Sequence, residues 1–204
     1  MKLVYLAASA AVWSICAFTK QADAPKKVVL APLEAVSKSS QTAADTKDDV
    51  VKRGQYLVTI MGCADCHAPK KMTAQGPAPD MDRFLSGHNS AQPLGTFDKS
   101  ILKTGEWVVF NGQSTAFAGP WGMSFAANLT PDETGIGNWS FEQFNTAMRK
   151  GKFKGLENSR PLMPPMPWFN YVNMADGDMR AIFAYLKSIK PVSNVVPSYI
   201  PPAP

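Results

Sequence analysis

An all-α domain interrupted by one long, loop-rich insertion is the fold class that this sequence of 204 residues predicts. Three observations point to it. Towards the C-terminus, Met179, Ile182, Phe183, Leu186 and Ile189 recur at helical spacing and give one face to bury. Upstream, Ser140-Phe141-Glu142-Gln143 reads as a capping box that opens a helix, Gly151 lies just past its end, and Phe141, Phe144 and Met148 form its buried stripe. The strongest β signal is short: Trp107-Val108-Val109-Phe110 before Asn111-Gly112, a small hairpin appended to helices. Apolar residues at 45% exclude a wholly disordered chain, while 17 Pro and 14 Gly demand many loops. Three cysteines are too few for a disulfide scaffold of this size, so folding rests on a core or a bound group.

The charge balance narrows the partners. The chain carries 21 Lys and Arg against 16 Asp and Glu, a net +5, and residues 1–47 hold six of the basic and three of the acidic ones. What remains is close to neutral, which excludes the locally basic footprint of a nucleic-acid binder. The nearest thing to a patch is Arg149, Lys150, Lys152 and Lys154, at a helix end where cations either complement the macrodipole or steer a partner.

The front end reads as an address. Lys2 precedes an apolar run from Leu3 to Phe18, broken only by Ser9 and Ser14, too short to span a bilayer comfortably but typical of an export signal over residues 1–17. Two cleavage readings stand side by side. A peptidase cuts after Ala17, or Trp13-Ser14-Ile15-Cys16 serves as an imperfect lipobox and Cys16 becomes a lipidated membrane tether. Both send the mature chain out of the cytoplasm, to the periplasm or to a membrane facing it. Residues 18–47 then read as a flexible Lys-, Ser- and Ala-rich linker, residues 48–190 as the folded domain and residues 191–204 as a Pro-rich tail.

Chemistry is concentrated in Cys63-Ala64-Asp65-Cys66-His67. C-x-x-C-H is the attachment signature of a c-type haem. Cysteines three apart on a helical turn share one face, so each sulfur can meet one vinyl group of the porphyrin edge, and the adjacent histidine projects towards the iron. A structural zinc site needs a second ligand pair that the chain lacks. A thioredoxin-like site needs a strand–helix–strand setting, and a plain disulfide leaves His67 without a role. The single motif allows one haem c.

A second axial ligand has to come from elsewhere in the chain. Met163, Met166 and His88 are candidates. Met166 stands out because Pro164, Pro165 and Pro167 hold the backbone extended around it, so one thioether can be aimed with little ordering cost.

With these residues in place, the chain over 48–190 resembles a class I c-type cytochrome, in particular the cytochrome subunits of membrane-bound alcohol dehydrogenases. The resemblance rests on Arg53-Gly54-Gln55-Tyr56-Leu57-Val58 leading into the attachment motif, on Asn128-Leu129-Thr130-Pro131-Asp132 with Thr134-Gly135-Ile136-Gly137-Asn138-Trp139, and on Pro164-Pro165-Met166-Pro167-Trp168. It implies a cytochrome c fold in which Gly54 lets the first helix cross closely over the last. It further implies Met166 as axial ligand opposite His67, Gly76-Pro77 either offering a carbonyl to the imidazole N–H or simply forming a turn, and Asn128 and Trp139 either bonding haem propionates or holding turns. The implied function is single-electron transfer by iron cycling between Fe(II) and Fe(III), without enzymatic turnover, among partners such as a dehydrogenase or an oxidase. A docked electron-accepting subunit of a dehydrogenase, and a haem sensor or enzyme with a displaceable methionine, are the alternatives.

Overall fold

The computed structural model describes residues 46–202. The export signal, Cys16 and nearly all of the linker therefore lie outside the described residues. Helix α1, Lys47–Ile60, starts where Thr46 and Asp49 close a reciprocal capping box, and Asp48 and Asp49 place negative charge on its first turn. The attachment motif itself forms α2, Cys63–His67, a single turn. Helix α3 spans Phe141–Lys150 and α4 spans Asp176–Ser188.

Helices α1 and α4 make the central crossing. Gly54 is buried in it, and a Cβ there would land on the carbonyl oxygen of Ala181 and 2.7 Å from the Cβ of Tyr185. This is the close approach that the helix-interior glycine implied, and it offsets the propensity lost to glycine. Arg53 spans the same crossing to Asp178 in a bidentate pair, 2.9 Å and 3.2 Å, but the partly exposed setting limits it to about 0.5 kcal/mol. Beneath the crossing, Leu57, Val58, Leu85, Ile136, Phe144, Met179, Ala181, Ile182 and Leu186 form one buried cluster.

The capping box on α3 is present as read: the Ser140 hydroxyl accepts from the Gln143 amide at 3.2 Å, and the Gln143 side chain returns to the Ser140 N–H at 3.1 Å. Gly151 ends the helix at φ 61°, the left-handed turn that glycine adopts without Cβ strain. Ser140→Ala is expected to lower stability by about 1 kcal/mol, seen as a lower denaturant midpoint at unchanged slope.

The expectation of an all-α domain is overturned. Five strands form two antiparallel sheets among the described residues. Strands β1, Lys70–Thr73, and β2, Gly76–Pro79, make a ribbon directly after the attachment motif. Strands β3, Val109–Phe110, β4, Ala116–Gly119, and β5, Gly122–Phe125, make a three-stranded sheet in that order. The Asn111 side chain holds the β3–β4 turn by accepting from the Thr115 and Ala116 amides at 2.8 Å and 3.0 Å. The hairpin signal at 107–112 is therefore one edge of something larger.

The physical reason the rest escapes a sequence reading is composition. β4 reads Ala-Phe-Ala-Gly with all four residues buried, so no alternation marks it. β2 reads Gly-Pro-Ala-Pro, and proline is tolerated there because a two-stranded ribbon has only outer edges. The C-terminal tail is extended and laid onto the domain: Ile200 exchanges backbone bonds with Met123, and Tyr199 donates to the Trp121 carbonyl at 2.5 Å. Buried Asn194 ties it to the carbonyls of Ser86 and His88, both at 2.8 Å.

Candidate functional site

Cys63 and Cys66 sit three apart on α2, and their thiols are not bridged to each other. Cys63 packs against the central cluster, and burial pushes its thiol up to about 11. Cys66 is pushed up as well, first by burial and then by the Asp65 charge. Such surroundings penalise a thiolate but suit an uncharged thioether.

His67 is fixed at both its backbone and its ring. Its carbonyl receives the Gly87 N–H at 2.7 Å, and its Nδ1 lies 2.8 Å from the Ala127 carbonyl oxygen. A carbonyl only accepts, so Nδ1 carries the proton and Nε2 keeps its lone pair. Burial depresses the His67 pKa, which favours the neutral ring that a metal needs. The two chain segments around it are clamped together: Leu129 N–H donates to Leu85 O and His88 N–H to Ala126 O, both at 2.9 Å.

The carbonyl that orients His67 thus belongs to Ala127, and the expected role of Pro77 is corrected. Pro77 is exposed in β2, opposite Met72. A backbone acceptor sixty residues downstream leaves no side-chain signature, so sequence reasoning had nothing to find. Of the two roles open to Asn128, its bonds are those of the turn-holding one. Its amide donates to Thr134 Oγ1 at 3.1 Å and Val192 O at 2.8 Å, while its Oδ1 accepts from the amide and hydroxyl of Thr130. With both amide hydrogens so placed, Asn128 holds the turn and the tail together and keeps no donor for a propionate. Trp139 is half-buried against the central cluster, and its indole N–H donates to no group among the described residues.

Met163 and Met166 are both half-buried in a loop held on several sides. The Pro164 carbonyl accepts from Ser124 Oγ at 2.5 Å, Leu162 N–H donates to Gly151 O at 2.6 Å, and Trp168 N–H donates to Met166 O at 3.0 Å. Downstream, Arg149 of α3 donates to the carbonyls of Val172 and Met174 at 3.1 Å and 2.7 Å. Between these anchors the turn Trp168–Tyr171 swings back towards α2: Tyr171 packs on the same cluster as Cys63, and the cysteine pair raises its pKa after burial does. The methionine loop thus runs into a turn whose last residue, Tyr171, packs on the cluster that also holds Cys63. His88 is drawn elsewhere, buried with Nδ1 2.9 Å from Thr115 Oγ1 and its ring against Phe125.

The donor set fits a covalently held haem c. Two unbridged thiols share one face, and the neighbouring imidazole offers Nε2. Close by, the loop that binds the His67 carbonyl also carries Arg83, whose buried Nε has no partner. Among the described residues no three His, Cys, Asp or Glu side chains converge as they would around an ion held by protein ligands alone. No helix among them is long and apolar enough to cross a membrane.

No family model matches the chain. It is 29% identical over 171 residues to the gluconate 2-dehydrogenase cytochrome c subunit of Pantoea cypripedii, covering 83% of this chain and 30% of that protein. It is 37% identical over 152 residues to the cytochrome c subunit of alcohol dehydrogenase (quinone) from Gluconacetobacter polyoxogenes, covering 74% and 24%. To the cytochrome subunit of fructose dehydrogenase from Gluconobacter japonicus it is 28% identical over 159 residues, covering 76% and 25%. The chain spans less than a third of the length of these curated relatives. Across most of its own length, then, this chain is similar to one part of the cytochrome c subunits of dehydrogenases.

Proposed function

We propose that the protein is a monohaem c-type cytochrome that passes single electrons, with Cys63 and Cys66 as thioether anchors and His67 and Met166 as axial ligands. The observation that carries this reading is the His67 imidazole held by Ala127 with Nε2 left available, beside two unbridged cysteines on one helical turn. When bound, haem supplies a one-electron couple, and a His/Met pair raises its potential and closes both axial positions. The protein's part is to orient His67 through Ala127, to present a thioether from a braced loop, and to shield that region with Phe84, Leu129 and Tyr171, all packed on the core. Neither axial residue needs to move for an electron to pass, so the domain acts as a carrier without substrate turnover. The similarity to dehydrogenase cytochrome subunits favours a dehydrogenase as the electron donor, with the chain docked on it or meeting it transiently. Export, by a signal over residues 1–17 or by lipidation at Cys16, places this traffic outside the cytoplasm.

Absorption spectra of the full-length expressed protein, oxidised and reduced, test the reading. A low-spin c-type spectrum supports it, and a colourless product overturns it. Met166→Ala should abolish the absorption of the iron–thioether bond in the oxidised protein and let the reduced form bind carbon monoxide, whereas Met163→Ala should leave both unchanged. The opposite pattern would move the axial role to Met163, and strong carbon monoxide binding by the parent would favour a sensor or enzyme. Co-purification with a larger dehydrogenase subunit would identify the docked form.

A further inference from the structure

Among the described residues, Arg83 is a charge without a counter-ion. It closes the short turn Met81–Arg83 and leads into Phe84 and Leu85, which pack in and on the central cluster. Its Nε is buried with no hydrogen-bond partner, and its Nη2 reaches only Asn89 Oδ1 at 3.3 Å. The carboxylates nearest in sequence are spoken for: Asp80 and Asp82 both pair with Lys71, at 2.8 Å and 2.9 Å. No carboxylate among the described residues lies within ion-pair distance of Arg83. A guanidinium cannot shed its proton, so a buried donor of this kind is costly until an anion or a strong acceptor meets it.

The loop that carries Arg83 is bonded to the proposed iron ligand and to the segment that orients it. Gly87 donates to the His67 carbonyl, and Leu85 and His88 are bonded to Leu129 and Ala126, on either side of the Ala127 that orients the ring. On the same loop the Ser86 hydroxyl is also buried and unpartnered. Two polar groups without a partner among the described residues, on a segment bonded to His67, indicate that a polar, acceptor-bearing group belongs against it. A haem brings two propionate carboxylates, and Asn128, which the sequence offered for them, has no donor left.

Building on the cytochrome reading, we infer that Arg83 is the propionate-binding residue of this domain, donating through Nε to a haem carboxylate. This is a charge-assisted bond of the kind guanidinium forms best, and it places a fixed positive charge at the haem edge. Removing that charge makes the ferric state relatively more favourable. Arg83→Gln is therefore expected to shift the ferrous/ferric equilibrium about tenfold towards ferric at fixed applied potential. Arg83→Lys, which keeps the charge, should recover most of the shift. A residue that merely filled space would not separate Gln from Lys in this way. In the unaltered haem-loaded protein, the Arg83 Nε–H resonance should be slow to exchange and should move when the iron is oxidised. This second measurement serves if Arg83→Gln does not mature. An unchanged midpoint potential in a haem-loaded Arg83→Gln protein, or an Nε–H that exchanges freely and ignores the iron's oxidation state, overturns the role of Arg83. A parent protein without haem overturns the cytochrome reading instead, so the two failures are distinguishable.

Discussion

Alanine at both Cys63 and Cys66 is expected to abolish covalent haem retention completely. Denaturing electrophoresis with a haem-peroxidase stain should show a full-strength band for the parent and none for the double variant. Each single variant should retain one thioether, a weaker band and a reduced pyridine-adduct spectrum displaced from that of the parent, because one vinyl group stays unsaturated. The physical argument is that α2 is one turn, held by its neighbours more than by itself, and has little independent means of gripping a cofactor. On the proposed assignment, the non-covalent hold that remains would come from His67, fixed through Ala127, from the methionine loop and from Arg83. A single denaturation should therefore strip the double variant of pigment while leaving the parent coloured. If the double variant kept its haem through denaturation, the attachment chemistry assigned to this motif would be wrong.

The parts of the proposed site that are legible in sequence are those whose role would rest on the side chain itself. The attachment motif declares two thiols and an imidazole at fixed spacing, and the capping box at Ser140 and Gln143 declares a helix start that the structure reproduces. Gly54 is legible through the resemblance, which implies a close helix crossing there, and a Cβ would indeed meet the Ala181 carbonyl. What stays hidden is carried by the backbone or by absence. Ala127 orients His67 through a carbonyl that any residue would supply. Strand β4 is buried on both faces and made largely of Ala and Gly, so period-two alternation cannot show. Arg83 looks like any surface arginine until its partners are counted, and only the structure shows that Asp80 and Asp82 have gone to Lys71. Asn128 and Pro77 show how residue type leaves a role open. Both types suit a haem pocket, yet Asn128 takes the turn-holding role that the sequence equally allowed, and Pro77 stands exposed in a ribbon.

A matched pair of glycine substitutions separates packing from propensity, and the two should move stability in opposite directions. Gly177 lies in the first turn of α4 with nothing within 4 Å of where a Cβ would sit. Gly177→Ala should therefore stabilise the domain by about 0.5–1 kcal/mol through backbone entropy and helix propensity alone. Gly54→Ala gains the same propensity term, but its methyl would land on the Ala181 carbonyl and press on Tyr185. Neither can yield cheaply, because one is helix backbone and the other a Cβ fixed to it. The α1–α4 crossing must open, and overpacking of this kind costs about 1–3 kcal/mol, more where backbone has to shift. Gly54→Val adds two further carbons and should leave too little stability for a cooperative fold, since a domain of this size holds only about 5–15 kcal/mol in total. Guanidinium midpoints of the haem-loaded parent, Gly177→Ala and Gly54→Ala proteins give the comparison directly. Because the attachment cysteines are untouched, Gly54→Val should still stain for covalent haem while losing the iron–thioether absorption, as the methionine loop parts from the loosened core. A Gly54→Ala protein as stable as the parent would mean that the two helices do not cross where the buried glycine places them.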